Sequence, residues 1–329
     1  MLTSKVSIIL AFGYRVQGFD IKSLSDLSAP VYFVPTALGE LERNITSVKE
    51  TKREPFSLEP PRPDYDIPTS ALQYFFMHSL LGFCSQSLVN DHICYCNDKF
   101  HNVTVFENLE VDSRAVVGVD KLNSLIVVAY RQSISPANWK LTDETELVSY
   151  PTPRSKEKVH KGILKYFQSV QQATEDGVLE LFGIPQYEDY TLHVTGYGMG
   201  GTAAIISMPS WIRLLQKNRI NNRSQFYAYS SFRPGNLAFA QYIESLKMPL
   251  VRYTRKGDIV PRLPDQNRTY TQAGQEFYDS EDAPFSSPRL IKCSSKVLED
   301  LHCSLNNTEF SATSHLFPFN KPIPGFPIC

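Results

Sequence analysis

No stretch of this chain approaches the roughly 18 uninterrupted apolar residues that a membrane-spanning helix needs, so no transmembrane segment is expected. An excess of one charge is missing as well. The 33 basic and 34 acidic side chains leave a formal net charge of −1, which excludes a generally basic surface and, with it, non-specific nucleic-acid binding. Hydrophobic residues at 42% against 20% charged argue against a disordered regulator. C-x2-C pairs are absent, and Cys94-Tyr-Cys96 is too tight for a structural zinc pair, so no metal site is expected. No repeat of solenoid or propeller period occurs. What remains is a globular chain of 329 residues, enough for one large α/β domain or two smaller ones.

At the N-terminus Lys5 precedes the apolar run Val6–Phe12, with small residues near Gly18. Residues 1–18 therefore read as a secretory signal peptide, the alternative being a buried N-terminal strand or helix. The six cysteines, Cys84, Cys94, Cys96, Cys293, Cys303 and Cys329, form an even set suited to disulfides in an oxidising compartment. Six free buried thiols in a cytosolic protein are the alternative. Asn44, Asn102, Asn222, Asn267 and Asn306 each open an N-glycosylation sequon. These features together point to a secreted or secretory-pathway glycoprotein. Residues 19–70 read as an N-terminal extension ending in the Pro-rich linker Glu54–Pro68, where five prolines in fifteen residues enforce an extended chain outside any central sheet. Residues 71–329 form the main domain.

Strands and helices alternate within that domain. Ser124–Arg131 is a continuous β-branched run, as in a strand buried on both faces. Val159, Ile163, Leu164, Phe167 and Val170 recur at helical spacing. Tyr190–Thr195 predicts a strand and Thr202–Leu215 a helix. Gln225–Ser230, Asn236–Lys247 and Pro249–Thr254 then repeat strand, helix, strand. This order implies an α/β fold with a mostly parallel central sheet flanked by helices.

The segment Gly196-Tyr-Gly198-Met-Gly200-Gly201 lies between a predicted strand and a predicted helix. It formally satisfies G-x-G-x-x-G, but a dinucleotide site places that turn in the first βαβ unit with an acid about twenty residues on. No Asp or Glu occurs from Thr202 through Ile243, which disfavours a nucleotide cofactor. The other reading is a nucleophile elbow, G-x-S-x-G, with Gly198 at the serine position. Asp258 and His315 follow in the chain order Ser…Asp…His of α/β-hydrolases. Asp258 comes just after a predicted strand and His315 sits in a late loop. Taken singly, each is more often a turn acid and a loop histidine.

The ordered set resembles the fungal class 3 triacylglycerol lipase family, over roughly residues 71–329. Ile126–Arg131 with Ser133 is similar to the family's strand and oxyanion loop, and Asn138-Trp139 to its helical lid. Val159-His-Lys-Gly162, Thr195–Gly201, Arg233-Pro-Gly-Asn236 and Asp258–Pro264 follow in order. The resemblance implies an α/β-hydrolase fold, with Asp258 and His315 as acid and base, and Ser133 and the Met199 N–H as oxyanion donors. It also implies a Cys84–Cys329 disulfide. Cys293–Cys303 is a further candidate pair, and Cys94–Cys96 would be strained. No metal or cofactor is implied, and a lipid or acyl ester is the expected ligand, met at a lipid interface.

Two departures bear on the chemistry. Gly198 has no side chain to attack a carbonyl, a loss on the order of 10⁴ to 10⁶ in rate by analogy with triad knockouts. Glycine also suits the positive φ such a turn imposes. Gln132 stands where the family has glycine, which puts Ser133 in question as a donor. Tyr197 replaces the histidine often found before the serine. Trp139 is either a lipid-touching lid residue or a packing residue, while His160 and His193 are structural. The expectation is a lipase homologue that has lost or nearly lost hydrolysis and still binds lipid. Alternatives are a working carboxylester hydrolase, with water activated by His315 and Asp258, a glycine variant of an active lipase, and a non-catalytic interaction scaffold.

Overall fold

A computed structural model of the chain describes residues 57–58, 66–86, 89, 100–151, 156–220, 224–265, 269–281 and 286–320. Helix α1 (Thr69–Leu80) leads into a hairpin, β1 (Phe100–Asn108) and β2 (Ser113–Asp120), and then β3 (Leu125–Tyr130). Helix α2 (Pro136–Asp143), the short strands β4 (Leu147–Ser149) and β5 (Lys158–His160) and the long helix α3 (Lys161–Phe182) follow. Next come β6 (Thr191–Tyr197), α4 (Met199–Lys217), β7 (Ser224–Tyr229), β8 (Gly235–Asn236), α5 (Leu237–Ser245) and β9 (Leu250–Arg255). Strands β10 (Tyr270–Thr271), β11 (Gln275–Asp279) and β12 (Leu290–Lys292) complete the regular structure.

Eight strands make one sheet in the order β1-β2-β3-β6-β7-β9-β11-β12. The five from β3 to β11 run parallel, and the antiparallel β1–β2 pair and β12 close its two edges. A small antiparallel sheet, β10-β8-β5-β4, lies beside it. All six residues of β3 are buried, as a central parallel strand requires. Helices α3 and α4 pack against each other and cover one face; α1 covers the other, where Phe76 meets the rings of Tyr197 and Tyr229 edge-on. Such pairing of helices on both faces of a parallel sheet buries one continuous core.

The predicted strands and helices are found with shifts of a few residues at their ends. One boundary differs by more than fraying. Val159 shares the helical spacing of Ile163 and Phe167 but lies in β5, because His160 ends the strand and caps α3, its Nδ1 accepting from the Ile163 N–H at 3.4 Å. Helix α1 starts at Thr69, and Leu58, inside the predicted linker, is buried in the main core and bonds through its N–H to the Lys296 carbonyl. Cys293 and Cys303 are joined by a disulfide. Cys84 is also disulfide-bonded, to a partner outside the described residues. Cys94, Cys96, Cys329, Asn44, Asn222, Asn267 and the signal segment 1–18 also lie outside them. Asn102 and Asn306 are both exposed.

Candidate active site

The turn between β6 and α4 is held by backbone contacts that leave no room for side chains on two of its glycines. A Cβ on Gly200 would lie 2.1 Å from the Tyr130 carbonyl oxygen, and one on Gly196 would lie 2.3 Å from the Gly200 carbonyl carbon. The strand end, the turn and the first turn of α4 therefore approach one another directly. Gly198 differs. It caps α4 with φ 54° and ψ −119°, the positive φ expected of such a turn, while its N–H donates to the Tyr229 carbonyl at 2.8 Å. A Cβ there would meet the His315 Nε2 at 3.4 Å and the Gln132 Cβ at 3.8 Å, both ordinary contacts. A Cβ fits above Gly198 without a clash, though the φ of 54° strains any side chain there.

Asp258 follows β9 directly and is wholly buried. Its Oδ1 accepts the Val260 N–H at 3.0 Å, which orients the carboxyl group. Both carboxylate oxygens lie 3.1 Å from the His315 Nδ1. His315 stands in the short helical turn Ala312–Leu316 and is also buried. A carboxylate can only accept, so Nδ1 donates to Asp258 and the ring's other nitrogen, Nε2, faces Gly198. The Tyr197 hydroxyl donates to the His315 carbonyl, and the two rings lie 4.9 Å apart. Burial, and then the nearby Asp258 charge, push the Tyr197 phenol well above its ordinary pKa, so it stays a neutral donor. Arg255 fixes the same turn, donating to the Ser314 carbonyl at 3.2 Å and to Asn320 Oδ1 at 2.7 Å.

A narrow hollow of about 10 Å³, room for one water, opens over Gly198 and His315. Its apolar wall comes from Trp139, Met199, Phe232 and Leu316, and its polar side from Gln132 and Ser133. Ser133 Oγ, Gln132 Oε1 and Trp139 Nε1 are buried and make no hydrogen bond among the described residues. Met199 is the first residue of α4, so its N–H has no intrahelical partner.

Helix α2 contributes Trp139 to the wall of this hollow. Trp139 is buried in the main core as well as lining the hollow. Asn138 is fully buried and fastens the helix: its Nδ2 donates to the Asp112 carbonyl at 2.7 Å, and its Oδ1 accepts the Ile134 N–H at 3.1 Å. Asp112, in the β1–β2 turn, also takes the Arg131 guanidinium at 2.6 Å and the Ser135 hydroxyl. Sequence patterns do not reveal Asp112, Phe232 or Leu316, since each reaches the site through tertiary packing and belongs to no motif. His160 and His193 lie away from the hollow. His160 caps α3, and His193 pairs with Gln225 at 3.1 Å on the face covered by α1.

A parallel sheet with helices on both faces, a tight strand–turn–helix and a buried acid–histidine pair above it define an α/β-hydrolase. Comparison with known proteins agrees. The model of the family "Lipase (class 3)" matches residues 127–268. The lipase of Rhizomucor miehei is 31% identical over 230 residues, 69% of this chain and 60% of that protein. Secreted mono- and diacylglycerol lipase A of Penicillium camembertii is 28% identical over 171 residues, 51% of this chain and 52% of its own length. A fungal lipase–inhibitor complex superposes with a TM-score of 0.67 at 29% identity, covering 76% of this chain and 94% of that one. For the Rhizomucor miehei lipase–propeptide complex the values are 0.68, 26%, 88% and 96%. This chain belongs to the class 3 lipase family that includes these fungal enzymes. It spans 60% or less of the length of these two sequence relatives.

Proposed function

We propose that this chain is a class 3 lipase-like protein that has lost its nucleophile at Gly198 and keeps the site as a lipid-binding pocket. The observation that carries this reading is the geometry around one missing side chain. The His315 Nε2 lies 3.4 Å from where a Cβ on Gly198 would stand, and Asp258 holds the other ring nitrogen at 3.1 Å. In triad chemistry a serine Oγ attacks the ester carbonyl, the histidine takes its proton, the acid orients the imidazole, and backbone N–H groups hold the oxyanion. On this reading Asp258 is the orienting acid, His315 the base and the Met199 N–H an oxyanion donor, and the attacking oxygen is lacking. No acyl-enzyme forms at residue 198.

The ligand this site fits is a lipid or acyl ester, taken beneath α2, with no metal or cofactor in its chemistry. With Trp139 in the wall of so narrow a hollow, entry of an acyl chain requires α2 to move, as a lid does. No helix among the described residues is long and apolar enough to cross a membrane, so contact with lipid would be peripheral. Secretion is supported by the Cys293–Cys303 and Cys84 disulfides, which persist in oxidising compartments, and by the secreted Penicillium relative. Asn102 and Asn306, exposed as glycan acceptors must be, fit the same compartment.

Restoring the serine tests the reading. The Gly198→Ser variant is expected to hydrolyse short- and long-chain esters that the native chain leaves intact. Water activated by His315 would give the native chain only slow turnover, since general-base help contributes about 10² to 10⁴. If the variant is as inert as the native chain, the site has decayed beyond residue 198 and the scaffold reading replaces this one.

A further inference from the structure

The hollow over Gly198 presents an unusual set of unmet polar groups. On one side is the Nε2 lone pair of His315, its Nδ1 held by Asp258. On the other are the N–H of Met199, which opens the 19-residue helix α4 with no side-chain cap, and the hydroxyl of Ser133, 5% exposed and without a partner among the described residues. A helix N-terminus carries partial positive charge and orphan N–H donors. Ser133 is a second and independent polar group at the same place, with no partner among the described residues. An occupant of this hollow must offer a proton toward Nε2 and an accepting oxygen toward the Met199 N–H and Ser133.

We propose that the site holds the carboxyl group of a free fatty acid in preference to an ester. This rests on the reading of the pocket as lipid-binding and names the ligand's head group. One carboxyl oxygen takes the space above Gly198, where a Cβ would stand only 3.4 Å from Nε2, and shares one proton with that nitrogen. The other oxygen accepts from the Met199 N–H and the Ser133 hydroxyl. Whether the shared proton rests on the acid or on the imidazole, the pair is satisfied. When it rests on the imidazole, Asp258 balances the ring's charge and the α4 terminus faces the carboxylate.

An ester lacks the proton, so its oxygens would meet the Nε2 lone pair unpaired in a buried site, which is costly. A fatty alcohol has a proton but only one oxygen, and cannot reach both sides. The absence of a side chain at residue 198 makes room for the second oxygen. A serine there would take the hydrogen bond to Nε2 for itself.

The test is binding of oleic acid, methyl oleate and oleyl alcohol to the full chain, measured by displacement of a fluorescent fatty-acid analogue. The acid is expected to bind at least about tenfold more tightly than the ester or the alcohol, a margin of one good polar contact. Ser133→Ala should weaken the acid severalfold. Equal affinity for acid and ester overturns this inference while leaving the lipid-binding reading standing. Binding of none of the three overturns both. Tight acid binding that Ser133→Ala does not weaken puts the acid elsewhere and also overturns the inference. If Ser133→Ala fails to fold, the acid–ester comparison in the native chain decides alone.

Discussion

The Nδ1 of His315 lies 3.1 Å from both carboxylate oxygens of Asp258, a residue 57 positions earlier in the chain, and both side chains are buried. The pair is built by two elements that meet only in the folded protein, the end of β9 and the turn Ala312–Leu316. It is aimed at a residue with no side chain. The imidazole Nε2 would lie 3.4 Å from a Cβ on Gly198.

Two of the turn glycines should respond differently to alanine. Gly198→Ala meets no atom closer than 3.4 Å and faces only the backbone cost of φ 54°. It should lower stability by about 1–3 kcal/mol in urea unfolding. Gly200→Ala forces a Cβ to 2.1 Å from the Tyr130 carbonyl oxygen and must separate α4 from β3. It should cost more than about 3 kcal/mol, or yield no folded protein.

Tyr197 acts on the site through His315. Removing its hydroxyl leaves the His315 carbonyl without that donor and frees the turn that carries the imidazole. Tyr197→Phe should cost about 1–2 kcal/mol in stability. In a Gly198→Ser background it should lower kcat more than it raises KM, because the base is displaced while the pocket remains.

Burial, outweighing a hydrogen bond to the Thr142 backbone, depresses the His160 imidazole to about 4. An unfolded histidine titrates near 6.5. Below that value the unfolded chain binds a proton the native chain refuses, so stability is full above pH 6.5 and falls as pH drops toward 4. The loss from this residue should reach about 3 kcal/mol. His160→Asn keeps a cap for α3 and removes the titration. Its stability should therefore fall less than the native chain's between pH 7 and pH 4 in urea unfolding.

Arg233 and Glu299 form a buried pair that seats the Asp258 loop, the arginine also donating to the Pro264 carbonyl at 3.0 Å. Glu299→Ala leaves an uncompensated buried guanidinium and should destabilise the fold by about 3–5 kcal/mol. Thermal unfolding of the variant checks this.

Much of the architecture is legible in the sequence because parallel strands are buried on both faces. Leu125–Tyr130 announces itself as a continuous apolar run. The acid, the histidine and the glycine turn are legible as an ordered set. The edge hairpin is harder to read. Strand β1 is buried mainly on one face, and its alternation, Phe-His-Asn-Val-Thr-Val-Phe-Glu-Asn, is diluted by polar residues. The end of β5 is hidden because Val159 fits both a helical period and a strand, and only the cap by His160 separates them. Asp112 carries no sequence signal at all. Its part in fastening Asn138 and Ser135 exists only once the β1–β2 turn meets α2.

The most direct test of nucleophile loss is steady-state hydrolysis of p-nitrophenyl butyrate by the native chain and by Gly198→Ser, purified side by side. Turnover is expected from the variant and none above background from the native chain, a gap on the order of 10⁴ or more. Native turnover within about tenfold of the variant's would contradict the loss, because the chain would then hydrolyse esters without a nucleophile at residue 198.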